Sequence, residues 1–528
     1  MMSARSFRVG LVWPTMALGL VFSIGSLTSL AAADDSVDKA NSFFAGVVDT
    51  KRSDLVLLPV LAKMEEPPAG VATVRRAMMV STDSPAWAAA SRWVQGASQR
   101  AVLDALNQIT AEEDYRDAMV FAQAYGAEGV QIDAIQSGLY TELGDPPLLA
   151  VARHGYLPAM ENMECLVHVE STRLASSGDP GAAIDLLVDW IYFGRQLADR
   201  EFVEEVLKGY EAMLGGFERI RDIAYQDVRA SSSRLTAEKI IEIQSRLDPK
   251  GYLAISRLRL PRGNIIASDQ IVAITRDSRG DLKRGAFVST MSRLGTTDRP
   301  LRLFSEAARW DQLADATDDF SLDDSVGFNA MYDDWRSKWG LDPFDDRMSL
   351  VWFYDQINEL MAISAPDLVG VVKSLLPDHR PLFDKRRLLD VEAVGTRTSL
   401  AMAAFVIEHR NFPRVVQAIR PQYAKVIEGD PFNPQERDRE GSVPLYYFVP
   451  IRDTASDEPH VINVFDEAGN FRIPIRDDQF VLYSVGPDGA KGWAKEVQNT
   501  AELAPGADYL IWPPVISLRR DFERLGRQ

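Results

Sequence analysis

The sequence predicts a mainly α protein: an irregular α-helical array followed by a small C-terminal α+β module with an antiparallel sheet. Three observations predict it. Apolar residues recur at three- and four-residue steps from about residue 38 to about residue 410. After residue 440 the pattern becomes short β-branched and aromatic runs separated by turn residues. At Ser84-Pro85 and Asp179-Pro180, a helix-capping residue is followed by a proline suited to the first helical position.

Composition sets the outer bounds. A chain of 528 residues exceeds what one core usually supports, and the expected parts are a signal peptide at 1–33, the helical array at 34–390 and the α+β module at 391–528. Hydrophobic residues make up 46% and charged residues 25%, the balance of a globular chain. With 76 acidic against 58 basic side chains, the net charge of −18 repels phosphate backbones, so nucleic acid is not expected as a partner. Cys165 is the single cysteine, which leaves no intrachain disulfide and no thiolate cluster for zinc.

At the N-terminus, Arg5 and Arg8 precede an uncharged stretch over 9–33 that ends in Ala31-Ala32-Ala33 before Asp34-Asp35. A basic start, an apolar stretch and a small-residue site are the parts of a secretory signal peptide. The expectation is export to the periplasm or beyond, cleavage after Ala33, and no membrane attachment afterwards. Retention as an anchor is the alternative, against which stand Pro14, Gly19 and Gly25.

From Ser84-Pro85, the spacing of Trp87, Ala90, Val94, Ala97, Ala101, Ala105 and Ile109 predicts one long amphipathic helix. Residues 159–177 read as a helix. Asp179-Pro180 opens the next, with Ala183, Leu187, Ile191, Gly194 and Leu197 on its apolar face. A third carries Val203, Val206, Tyr210, Met213, Phe217 and Ile220 on one stripe, so these last two should form a hairpin. Such hairpins resemble tetratricopeptide-like units, but no second copy recurs at a fixed period. Further helices are expected at 236–247, 349–364 and 390–409. Residues 250–300 read as a connection with a short strand at 271–275. Residues 311–346 hold eleven aspartates without the order of an EF-hand loop, and read as helix caps and solvated turns. Strands are expected at 445–449, 461–465, 471–475, 480–484 and 509–512, and a terminal helix at 518–527.

The order of motifs in the C-terminal part resembles a known family. A helix ending in His409-Arg410-Asn411-Phe412-Pro413 leads to Asp430-Pro431-Phe432, Leu445-Tyr446-Tyr447, the run FVLYSVGPDG at 480–489, and Asp508-Tyr509-Leu510-Ile511-Trp512. This resembles the globular domain of the major pseudopilin of type II secretion systems, over about residues 396–512. The whole arrangement is also similar to exported, uncharacterised planctomycete-type proteins that join a helical domain to such a module. The resemblance implies a calcium site at Ser484, Asp488 and Asp508, with the Leu482 carbonyl as a fourth ligand. It also requires the insert 490–507 to fold away from that site. Gly506 stands where the family places an acidic residue, and Lys491, Gly492 and Trp493 replace its next residues.

No nucleotide-binding or hydrolase motif is present. Glu164 and His168, four residues apart with Glu161 a turn earlier, have the spacing of metal ligands, and equally that of a solvated helix face with a weak charge pair, which is the expectation. His409 and Arg410 read as end-of-helix charges. Trp335 and Trp339 read as core, with an exposed aromatic pair as the alternative. The chain is therefore expected to be an exported, non-catalytic interaction or structural protein with a protein partner. The alternatives are a carboxylate-dependent extracytoplasmic enzyme acting on carbohydrate, and an accessory of a type II secretion-like assembly.

Overall fold

A computed structural model describes residues 35–230, 232–294, 307–314, 325–364, 376–433, 443–454, 456–466, 468–498 and 506–526. The expected signal peptide lies outside them, and among them no helix is long and apolar enough to cross a membrane.

The expected fold class is observed. At its centre stand four long helices, α1 (Tyr156–Ser177), α2 (Pro180–Leu197), α3 (Val203–Arg229) and α4 (Arg380–His409). Local chemistry sets their ends. Gly178, at φ 102°, closes α1 by turning its own amide and that of Asp179 back onto Ala175 and Leu174. The Asp179 carboxylate then accepts from the Ala182 amide at 2.9 Å and opens α2 behind Pro180. The expected α2/α3 hairpin forms, and its two backbones touch. A Cβ built on Gly209 would lie 2.6 Å from the Ala198 nitrogen and 2.7 Å from the Gly194 oxygen, so glycine is required at the crossing.

The C-terminal sheet has six strands: β1 (Tyr446–Phe448), β2 (His460–Phe465), β3 (Phe471–Ile475), β4 (Val481–Ser484), β5 (Glu496–Gln498) and β6 (Asp508–Trp512). Their spatial order is β1-β4-β6-β5-β2-β3. Five were expected. The sixth, β5, lies parallel between β2 and β6, which makes the sheet mixed rather than antiparallel. Side chains of β4 and β6 alternate between two cores. Leu482, Tyr509 and Ile511 join the helical core on the α4 side, while Val481, Tyr483 and Leu510 pack under α5 (Val515–Leu525). Position 390, the expected join, lies inside α4.

Buried ions tie the sheet and α5 to the array. Arg221 of α3 binds Glu392 of α4, donating to Oε1 at 3.0 Å, and Thr396 at 2.7 Å, while the Tyr509 hydroxyl donates to Glu392 at 2.6 Å. Asp222 accepts from Arg219, from Ser517, and twice from Arg520 at 2.7 and 2.8 Å. Two arginines hold this buried carboxyl down to about 2 despite burial, which pushes the other way.

Other expectations are corrected. The long helix from residue 84 is two, Trp87–Trp93 and Ala97–Thr110, because Gly96 is extended at the start of the second. The expected strand at 271–275 is the end of a helix, Gly263–Thr275, and Arg284–Leu294 is a second helix in the expected connection. Its β-branched residues are buried among other helices, and burial outweighs strand propensity. Trp335 and Trp339 are core: Trp335 stacks on His379 at 4.3 Å, and the Trp339 indole donates to Leu258 at 2.7 Å. Glu164 and His168 are buried rather than solvated. They face α3 near Gly215, where Lys208 pairs with Glu164 at 3.2 Å.

Candidate functional site

Among the described residues, two places bear on the candidate site: the expected calcium residues and an arginine-lined cleft. The first is the end of the sheet where the calcium-site residues were expected. Strands β4 and β6 run side by side with Ser484 opposite Tyr509, which sets Ser484 beside Asp508. Both are buried. The Ser484 hydroxyl donates to Asp430 at 2.6 Å, and the Val485 amide donates to the other Asp430 oxygen at 3.0 Å. Asp430 is thus part of this cluster. The Asp430-Pro431-Phe432 motif was visible in the sequence, but its contact with residue 484 spans 54 positions and was not.

Asp488 lies in the turn that follows β4. It is exposed, and its carboxylate accepts from the Ala490 amide at 2.9 Å in the turn that Gly489 completes at φ 65°. Asp508 is occupied by residues 492–494 of the insert, which do not fold away. The Gly492 and Ala494 amides donate to it at 3.1 and 2.6 Å. Trp493 and Ala494 take φ of 59° and 51°, a left-handed strain sustained by that grip on the carboxylate. A Cβ on Gly492 would lie 2.6 Å from Asp508 Oδ2. Burial raises the Asp508 carboxyl to about 6; the two amides oppose the rise, and the carboxylates of Asp488 and Asp430 add to it.

The second place is a cleft of about 610 Å³ between the C-terminal end of α3, the α1/α2 turn, α5 and residues 80–82. Five arginines line it: Arg219, Arg229, Arg234, Arg520 and Arg524. They come from three segments. Arg219 and Arg229 lie ten residues apart on α3, Arg234 follows it, and Arg520 and Arg524 lie one turn apart on α5. Three carboxylates serve them. Asp222 takes Arg219 and Arg520, Asp521 takes Arg229 at 2.8 Å with Arg524 at 3.8 Å, and Asp227 binds the main-chain amide of Arg234 at 3.0 Å. Positive charge therefore exceeds negative here, in a chain of net charge −18. Burial, with Arg520 adding repulsion, lowers the Arg219 guanidinium to about 10 although Asp222 opposes the change. Nothing in the sequence marks these residues, which are scattered over 300 positions and meet only through the packing of α5 on α3.

Comparison of the chain with protein-family models, with curated proteins and with solved structures finds no match.

Proposed function

We propose that this is an exported, non-catalytic interaction protein whose helical array and pseudopilin-like C-terminal part together form one binding cleft. The observation that carries the reading is the arginine lining of the 610 Å³ cleft. Guanidinium groups keep one charge across the working pH range and offer fixed forks of donors, which suits recognition rather than proton transfer. The cleft also falls in the size range of ligand sites.

The test is cross-linking in the native extracytoplasmic fraction, with the chain and its Arg234→Ala/Arg524→Ala form compared. A discrete adduct that depends on the two arginines supports the reading. Carbohydrate turnover by the purified chain, abolished at a single carboxylate, moves it to the enzyme alternative. N-terminal sequencing should place the mature start near Asp34; an intact Met1 on a soluble cytoplasmic chain overturns export.

Calcium at Ser484, Asp488 and Asp508 is proposed alongside, favoured by the register of β4 and β6. Binding there requires an ion to displace the Gly492 and Ala494 amides from Asp508, so a weak site is expected.

A further inference from the structure

We infer that the arginine cleft binds the dianionic head of a phosphate monoester. The inference rests on the cleft being a binding site and names what it takes. Three arginines keep donor capacity. The buried Nε of Arg219 has no hydrogen-bond partner among the described residues. The Arg234 guanidinium, packed over Gly178 at the C-terminal end of α1, has no side-chain partner among the described residues. Arg524 is mostly exposed, and its paired carboxylate, Asp521, is 3.8 Å away.

An unpaired donor buried beside such a cavity is costly unless a ligand or water satisfies it. The donors approach from α3, from the segment after it and from α5. A planar carboxylate presents two oxygens in one plane and serves at most one or two of these directions. A tetrahedral group presents three oxygens around its ester bond and serves all of them.

Charge agrees with shape. Five guanidiniums against three carboxylates leave an excess that matches a dianion. The acidic remainder of the surface does not cancel it, because charges beyond about 8–10 Å are screened at physiological salt. The volume exceeds what an inorganic ion needs. Val80, Ala175, Pro180 and Ile223 supply apolar wall for the organic part of an ester.

The test is calorimetric titration of the purified chain at constant ionic strength with inorganic phosphate, inorganic sulfate, glucose 6-phosphate, glucose 6-sulfate and malonate, with sodium chloride as the control. Glucose 6-phosphate should bind about tenfold or more tighter than malonate, and tighter than glucose 6-sulfate, whose head carries a single negative charge. Arg234→Ala and Arg524→Ala should each weaken glucose 6-phosphate binding about tenfold, the loss of one charge-assisted hydrogen bond. Both residues are exposed, and an unchanged unfolding midpoint without ligand shows that the fold is kept. Malonate or glucose 6-sulfate binding as tightly as glucose 6-phosphate overturns the inference and leaves the cleft a binding site for another anion. Ester binding untouched by both substitutions places the ion elsewhere and overturns it. No binding of any probe above the chloride control overturns the inference, and cross-linking that still depends on Arg234 and Arg524 would then preserve the cleft reading.

Discussion

Replacing Glu218 with glutamine should make stability less sensitive to pH between about 4 and 8. Glu218 lies on α3 and is 8% exposed, with one carboxyl oxygen lacking a partner among the described residues. Burial, reinforced by the Glu392 and Asp222 carboxylates and opposed by Arg75 and Arg221, pushes its pKa up to about 7. Between the ordinary carboxylate value and 7, the folded chain therefore holds a proton that the unfolded chain has released. Stability falls as pH rises through that window, and the loss is complete above about 7. Moving a carboxyl from about 4.5 to about 7 corresponds to about 3 kcal/mol. Glutamine mimics the protonated form and does not titrate. The difference in unfolding free energy between Glu218→Gln and the parent should thus grow in the variant's favour by up to about 3 kcal/mol from pH 4 to pH 8. Glu201, raised to about 7, and Asp189 and Asp508, each raised to about 6, add to the pH dependence of both proteins and cancel in the difference. The assay is urea unfolding at pH 4, 5, 6, 7 and 8. Curves that stay parallel within about 1 kcal/mol would refute the reasoning, because they would mean that Glu218 ionises freely where it sits.

Three further outcomes are expected. Glu392→Ala strands the Arg221 guanidinium and removes the acceptor of the Tyr509 hydroxyl, so unfolding free energy should drop by about 3–5 kcal/mol; a loss under 1 kcal/mol in denaturant titration would show that the pair is not sequestered from water. Gly209→Ala should lose about 1–3 kcal/mol by thermal unfolding although alanine favours helices by about 1 kcal/mol, since the new methyl meets the α2 backbone; a more stable variant would disprove the close crossing. If calcium binds the sheet end, millimolar calcium should raise the unfolding midpoint of the full chain over a chelator control, and Asp508→Asn should abolish the rise; no shift leaves Asp508 as the anchor of the insert alone.

The sequence by itself determined what depends on near neighbours along the chain. Asp179-Pro180 and Gly178 fix helix ends within one turn, so α1, α2 and α3 were legible, as were the five strands with β-branched and aromatic runs. Periodicity says which face of an element is buried. It does not say what covers that face. For that reason β5 was missed: its three residues carry no pattern, and its place comes from β2 and β6 on either side. The same limit hid the burial of Glu164 and His168, whose spacing is also that of a solvated face until Lys208 of α3 closes over them. At the sheet end, the sequence supplied Ser484, Asp488 and Asp508, but only the fold brings Asp430 to Ser484 and the insert's amides to Asp508. The arginine cleft lies wholly on the tertiary side. Arg219 and Arg520 belong to helices 300 residues apart in the chain, and they share Asp222 because α5 returns to α3 to cover the far face of the sheet.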